Sequence, residues 1–386
     1  MKCIIKIACL IAVMTCLLVT GCATLFIAKY DSTGEQLWVR QFGAGTHFEN
    51  AYDVAADGRG FAWGGDGNVY VTGYTNGTFP GQTSAGDDDA FIAKYNSAGE
   101  QLWVRQFGTD KIDVAQGVTI DGRGNAYVTG HTNGTYPGQI SAGDWDAFLV
   151  KYSSSGRQLW LRQFGTDNND DAYGVAVDSR GNTYVTGTTE VTSPGQMSAG
   201  DDDAFLVKYS SSGRQLWVRQ FGTDDHDFTH GVAIHHYGNT NMRRNTAGTF
   251  PRQTSTGGYE NVYVTGYTKG TFSGQISTGG QDAFLVNYDS SGRQLWVRQF
   301  GTDNDDDAKA VAVDSRGNAY VTGTTEVTSP GQMSAGDDDA FLVKYSSSGR
   351  QLWLRQDGTE DAESAEGVAV DRDGNAYVVG SSDSYN

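Results

Sequence analysis

The chain has 386 residues, with 52 Gly, 5 Pro and 12% aromatic side chains, a composition that suits many short strands joined by tight turns. It carries 46 acidic against 28 basic residues, a net charge of −18. This argues against nucleic acid as a partner, because the phosphate backbone demands a basic surface, and leaves cations or basic protein patches compatible.

Residues 1–21 read as a lipoprotein signal peptide and 22–386 as one domain. Lys2 and Lys6 give a positive start, and Ile7 to Val19 form an apolar run too short for a comfortable membrane span. The segment ends Leu18-Val19-Thr20-Gly21-Cys22, which resembles a bacterial lipobox and implies acylation of Cys22. An ordinary signal peptide that contains cysteine is the alternative. The expected product is exported and lipid-anchored to the bacterial cell envelope, at the outer membrane or cell surface. Each buried acyl methylene would add about 0.8 kcal/mol to that anchor. All four cysteines (Cys3, Cys9, Cys16 and Cys22) lie in this segment, so the remainder of the chain has no disulfide and relies on packing.

Downstream the chain repeats itself. Gln-Leu-Trp recurs at Trp38, Trp103, Trp160, Trp217, Trp296 and Trp353, with spacings of 65, 57, 57, 79 and 57. The unit is therefore 57 residues, with insertions of 8 and 22 in two copies. Residues 178–217 and 314–353 differ only at Thr183 against Ala319. Near-identity of that kind implies recent copying, so recurrence alone is no sign of functional selection.

One unit predicts four short strands. Strand A is Gly174-Val175-Ala176-Val177, strand B is Tyr184-Val185-Thr186-Gly187, strand C is Ala204 to Tyr209, and strand D is Leu216 to Phe221. The chain opens on C and D, runs through five complete units, and ends on A and B. Its segments are about 24–42, 52–107, 117–164, 174–221, 231–300, 310–356 and 367–381. Pairing the two halves predicts an all-β, six-bladed β-propeller of four-stranded antiparallel blades, closed by a blade shared between the termini. Closure would remove the open sheet edge. A monomer is expected.

Asp-Ala-Phe-Leu-Val-Lys-Tyr, Gln-Leu-Trp-Val-Arg-Gln-Phe-Gly, Gly-Val-Ala-Val-Asp and Gly-Asn-Ala-Tyr-Val-Thr-Gly resemble the SBBP repeat family. The resemblance implies β-propeller modules of bacterial secreted and surface proteins, and carries no established reaction or ligand. The family name implies seven blades, where this chain supplies six.

Alternating strand direction places the D-to-A and B-to-C connections on one face. That face collects Asp110 with Asp113, Asp167 with Asp170, Asp224 with Asp227, and Asp303, Asp305, Asp306 and Asp307, together with Glu360 and Glu363. The B-to-C loops add Asp87-Asp88-Asp89, Asp144, Asp146, Asp201-Asp202-Asp203, Asp282 and Asp337-Asp338-Asp339. The opposite face carries arginines such as Arg123, Arg180 and Arg316 in the A-to-B turns. Carboxylate-rich loops could bind Ca²⁺, or could serve only as turn caps and solubilising groups. No cofactor is required by the pattern, and Ca²⁺ is the one it could accommodate. The aspartates that directly precede Ala-Phe are expected to be structural turn residues.

The repeated tryptophans suit an aromatic wedge between neighbouring blades. Trp63 and Trp145 fall outside that register and are the candidate contact residues for a partner. His226 and His230 are expected in the loop before strand A, with His235 and His236 at its far end. At about 3.3 Å per residue the pairs stand roughly 15 Å apart, too far to share one ion. Residues 239–260, the 22-residue insertion, form an excursion on the arginine-bearing face. No nucleophile elbow, phosphate-binding glycine loop or Cys/His zinc spacing occurs. The expected function is a non-enzymatic envelope-binding or scaffolding propeller for a protein or polysaccharide. A Ca²⁺-binding structural module is the alternative, and a propeller enzyme is the third.

Overall fold

The computed structural model describes residues 25–30, 35–45, 48–57, 67–192, 195–196, 200–236, 260–327, 338–359, 362–371 and 373–383. Cys22, Trp63, Asp337, Glu360 and residues 239–259 lie outside them.

Every strand pairs antiparallel with its sequence neighbour, because each connection is a turn or short loop rather than a crossover. The N-terminal pair is β1 (Leu25–Tyr30) and β2 (Gln36–Phe42). The first complete sheet holds β3 (Glu49–Ala56), β4 (Val69–Thr75), β5 (Asp89–Tyr95) and β6 (Gln101–Phe107). The second holds β7 (Asp113–Ile120), β8 (Ala126–Thr132), β9 (Asp146–Tyr152) and β10 (Gln158–Phe164). The third is β11 (Asp170–Val177), β12 (Thr183–Thr189), β13 (Asp203–Tyr209) and β14 (Gln215–Phe221). The fourth is β15 (Asp227–His236), β16 (Glu260–Thr268), β17 (Asp282–Asp289) and β18 (Gln294–Phe300). The fifth is β19 (Asp306–Val313), β20 (Ala319–Thr325), β21 (Asp339–Tyr345) and β22 (Gln351–Asp357), followed by the pair β23 (Ala362–Val370) and β24 (Ala376–Asp383).

The first strand of each sheet contacts the first strand of the next, β3 with β7 and so on to β19 with β23. The third strand supplies the core. β5, β9 and β13 are buried along their whole length, and alternate residues face opposite neighbours, as the pleat requires. On β5, Phe91 packs back against Phe42 with ring centroids 6.2 Å apart. Ala90 and Ile92 instead face forward into the cluster that holds Ala115 and Phe148.

The innermost strand is longer than its sequence pattern indicates. It starts at Asp113, Asp170, Asp227 and Asp306, so these aspartates are strand residues, not loop residues. His230 likewise lies inside β15 rather than before it. Each innermost strand also carries a bulge against its partner: one residue, Tyr52, Gln116, Tyr173, His230, Lys309 or Glu366, is skipped in the ladder. A bulge re-aims the extra side chain and increases local twist.

Among the described residues β1–β2 and β23–β24 stand as separate two-stranded sheets, without the ladder between them that a shared closing sheet requires. Each terminal sheet packs on its sequence neighbour and leaves its other face open. Phe26 is 67% exposed where Phe91 and Phe148 are fully buried. Tyr377 is 55% exposed where Tyr127 and Tyr263 are buried, and Val54 of the first complete sheet is 59% exposed. A sequence difference at this seam supplies a reason. Phe107 meets Phe148 and Phe300 meets Phe341 across successive sheets, but β22 ends in Asp357 where the other fourth strands end in Phe.

Candidate functional site

The residues that recur in every unit hold the frame. In the first four complete sheets the tryptophan of the fourth strand donates its indole N–H to a carbonyl in the next sheet: Trp103 to Ser154 at 3.2 Å, Trp160 to Ser211 at 3.2 Å, Trp217 to Ser290 at 3.4 Å and Trp296 to Ser347 at 3.1 Å. Two residues on, arginine Nε donates to the glycine carbonyl of the same turn, as in Arg162 to Gly213 at 2.7 Å. Gly213 has φ +79°, and a Cβ there would come within 2.9 Å of the Trp160 ring. Both the conformation and the close approach therefore select glycine. The wedge expected of these tryptophans is a hydrogen-bonded clamp.

The aspartates that precede Ala-Phe are frame residues too. Asp146 accepts from the Ala142 amide at 3.2 Å, from Ser141 Oγ at 2.8 Å and from Gln163 Nε2 at 2.8 Å. Asp89, Asp203, Asp282 and Asp339 accept the equivalent glutamine bond.

The acidic pairs separate on folding. Asp110, Asp167, Asp224 and Asp303 are exposed. Their partners Asp113, Asp170, Asp227 and Asp306 are buried and accept from the backbone amide and hydroxyl of Thr109, Thr166, Thr223 and Thr302. Burial pushes the carboxyls of Asp170, Asp227 and Asp306 up to about 6, with the threonine hydrogen bonds opposing it. Asp305 accepts from the amide and side chain of Gln281 at 2.9 and 2.8 Å. Among the described residues, no group of three or more His, Cys, Asp or Glu is arranged to hold a metal ion.

A different set of side chains gathers at the D-to-A end of the innermost strands, and periodicity alone does not reveal it. Trp145 is half-buried with its ring edge-on to His131, centroids 5.3 Å apart. His131 Nδ1 lies 3.1 Å from Asp171 in the next sheet. Tyr173 donates to Asp171 at 3.3 Å, and its ring lies 6.1 Å from His230 of the sheet after that. His230 Nε2 lies 3.2 Å from Asp307, which pairs with Lys309 at 2.5 Å. Tyr267 stands beside His230 and stacks on Phe228 at 5.0 Å. These contacts form one continuous rim through the second to fifth complete sheets. Burial lowers the His131 imidazole, with Asp171 opposing that shift. Burial would raise the Asp307 carboxyl, but His230 and Lys309 hold it below the usual carboxylate range. Of the residues weighed from sequence, Trp145, His230 and Asp307 belong to this rim. The four exposed aspartates do not contact it in any interaction described above, and Trp63 and Cys22 lie outside the described residues.

One signal in the sequence marks the rim. Residues 165–177 and 301–313 differ at 3 positions, Asn169/Asp305, Tyr173/Lys309 and Gly174/Ala310, immediately before 40 residues that differ at one. Change is concentrated at the bulge.

The chain is 26% identical over 187 residues to a regulatory protein, FlaEY, of Caulobacter vibrioides, covering 45% of this chain and 19% of that protein. It is 24% identical over 443 residues to a WD repeat-containing protein of Acanthamoeba polyphaga mimivirus, covering 94% of this chain and 31% of that protein. The chain thus spans a third or less of the length of either relative. A Bacteroides caccae protein of unknown function shows 13% identity and a TM-score of 0.37 over 84% of this chain and 87% of its own. A rhamnogalacturonan lyase of Bacillus licheniformis shows 14% identity and a TM-score of 0.33 over 84% and 59%. Residues 102–137, 159–193, 295–329 and 352–386 match the model of the SBBP β-propeller repeat.

Proposed function

We propose that the chain is a non-enzymatic binding or scaffolding propeller of the bacterial cell envelope, held there by lipid at Cys22, with a protein or polysaccharide as its partner. One observation carries this: the recurring tryptophans, their turn glycines and the aspartates before Ala-Phe are engaged in the frame, whereas divergent residues meet at the axial rim. Binding proteins built on repeats concentrate variation where they contact ligand, because the frame must stay constant for the units to stack. In this proposal the terminal pairs β23–β24 and β1–β2 complete a sixth blade. Cross-strand register in the complete sheets pairs Val71 with Ala93 and Val128 with Val150, so Val378 would face Ala28.

The test is saturable binding of the full chain to isolated envelope fractions, alongside its partition between membrane and soluble fractions. Cys22→Ser should release it from the membrane, and continued sedimentation with membranes would reject the anchor. Alanine at Tyr173 and Tyr267 together should reduce envelope binding. Unchanged binding would move recognition away from the rim.

A further inference from the structure

We propose that the axial rim is a carbohydrate site and that its ligand is an uncharged glycan, an inference that rests on the binding function proposed above. Three features select that class. First, the site presents aromatic faces at the mouth of the ring: Tyr173, Tyr267, Phe228 and Trp145 are all partly exposed. Aromatic side chains offer large flat contact area and, in tyrosine and tryptophan, a polar edge, which matches a sugar with an apolar C–H face and hydroxyl rim.

Second, the polar groups between those rings are planar and oriented. Asp171 and Asp307 each have an imidazole nitrogen from a neighbouring sheet beside them, at 3.1 and 3.2 Å, and His226 Nδ1 sits 2.5 Å from Asp202. Carboxylates and imidazoles held in this way can accept from and donate to vicinal hydroxyls. A few convergent polar groups set among aromatic walls is the usual composition of a small-molecule site. The arc that follows adds hydroxyls, with Thr324 Oγ1 3.0 Å from Ser364 Oγ.

Third, the charges disfavour the alternatives. Lys309 is the only lysine or arginine in the rim contacts described above, and Asp307 already pairs with it, so an anionic polymer finds no unpaired cation among those contacts. A basic peptide needs carboxylates free to meet its cations, whereas Asp307 already pairs with Lys309 and Asp171 and Asp202 are hydrogen-bonded to Tyr173 and His226.

The bulge links sequence to this site. The bulged side chain is Gln116, Tyr173, His230, Lys309 and Glu366 in successive sheets, a graded set of aromatic, amide and charged groups around one ring. A glycan lying across the mouth would meet a different group at each sheet, giving orientation as well as affinity.

The test uses the full chain with four probes: cellohexaose and mannohexaose as neutral glycans, oligogalacturonate as the anionic one, and decalysine as the basic peptide. At least one neutral hexasaccharide should bind saturably, and Tyr173→Ala or Tyr267→Ala should weaken it about tenfold. Tyr173→Phe, which keeps the ring, should retain most binding, and unchanged melting temperatures would show that the variants fold. Failure of both neutral probes, or neutral binding that survives the double alanine substitution, overturns the proposal. If decalysine or oligogalacturonate binds instead and the tyrosine substitutions abolish it, the glycan class falls while the binding function stands. If envelope fractions and all four probes fail together, both fall.

Discussion

Trp160 reaches across the boundary between two sheets and donates its indole N–H to the Ser211 carbonyl at 3.2 Å, with Gly213 packed against its ring. The same arrangement recurs at Trp38, Trp103, Trp217 and Trp296, so the array is stapled along its outer edge as well as packed at its centre. Gly213→Ala should therefore cost more than its backbone conformation alone. Gly138 has a similar φ, +75°, but open space where a Cβ would go. Alanine at Gly138 should cost roughly 1–2 kcal/mol of unfolding free energy, the left-handed conformation only. Alanine at Gly213 should exceed it, because the Trp160 ring must move. Equal urea midpoints for the two variants would show that the clamp contributes nothing.

Asp170, Asp227 and Asp306 make stability depend on pH in an unusual direction. Their folded carboxyls titrate at about 6, above the ordinary value of 3.8. Between these values the folded state binds more protons than the unfolded chain, so their contribution to stability falls as pH rises through that window. Asp289, lowered to about 2 by hydrogen bonds from Ser291 and Arg293 that outweigh its desolvation, acts oppositely, losing its contribution as pH falls toward 2. The diagnostic is thus a difference curve. Asp170→Asn keeps an acceptor for the Thr166 amide and removes the ionisation. Its melting temperature relative to the parent should rise from pH 4 to pH 7. A flat or falling difference would mean that Asp170 is not buried as an acid.

Much of this architecture is legible in the sequence, and the reason is physical. Strands B, C and D are short apolar runs between glycine turns, and their period of two leaves little freedom in register. The start of the innermost strand is hidden in the sequence because Asp170, Asp171 and Tyr173 look like loop residues. Only the threonine clamp on Asp170 and the bulge at Tyr173 make them strand residues. The rim was hidden for a related cause. His131, Asp171, His230 and Asp307 come from different units and meet only because the sheets stack around an axis. Counting acidic residues pointed instead to Asp110, Asp167, Asp224 and Asp303, which remain exposed at turns.

The fourth sheet departs from the others at one buried pair. Elsewhere a lysine on the third strand faces an aspartate at the end of the first: Lys151 with Asp121 at 4.0 Å, and Lys344 with Asp314 at 3.6 Å. Here Asn287 and His235 occupy those positions, and both polar atoms of the Asn287 side chain are buried without a hydrogen-bond partner. Restoring either charge alone would bury it without its counterpart. His235→Asp and Asn287→Lys should each destabilise, whereas the double variant should recover at least roughly 1 kcal/mol through their coupling. Additive effects in a double-mutant cycle of unfolding free energies would show that the two positions do not communicate.

The seam between the terminal sheets can be tested at Asp357. At the other boundaries a fourth-strand phenylalanine meets a third-strand phenylalanine of the next sheet, 5.8 Å apart for Phe107 and Phe148 and 6.1 Å for Phe164 and Phe205. By the same register, closure of the proposed ring would set Asp357 opposite Phe26, pairing a carboxylate with an aromatic ring that is otherwise largely exposed. Asp357→Phe should then raise the melting temperature, because it completes an aromatic contact of about 0.5–1.5 kcal/mol beyond its area term. The gain should vanish when Phe26→Ser is added, and the protein should remain monomeric by light scattering. A stabilisation that persists without Phe26 would place the new ring elsewhere. Oligomers formed by the single variant would mean that β1 of one copy meets β22 of another, so that the ends join between molecules rather than within one.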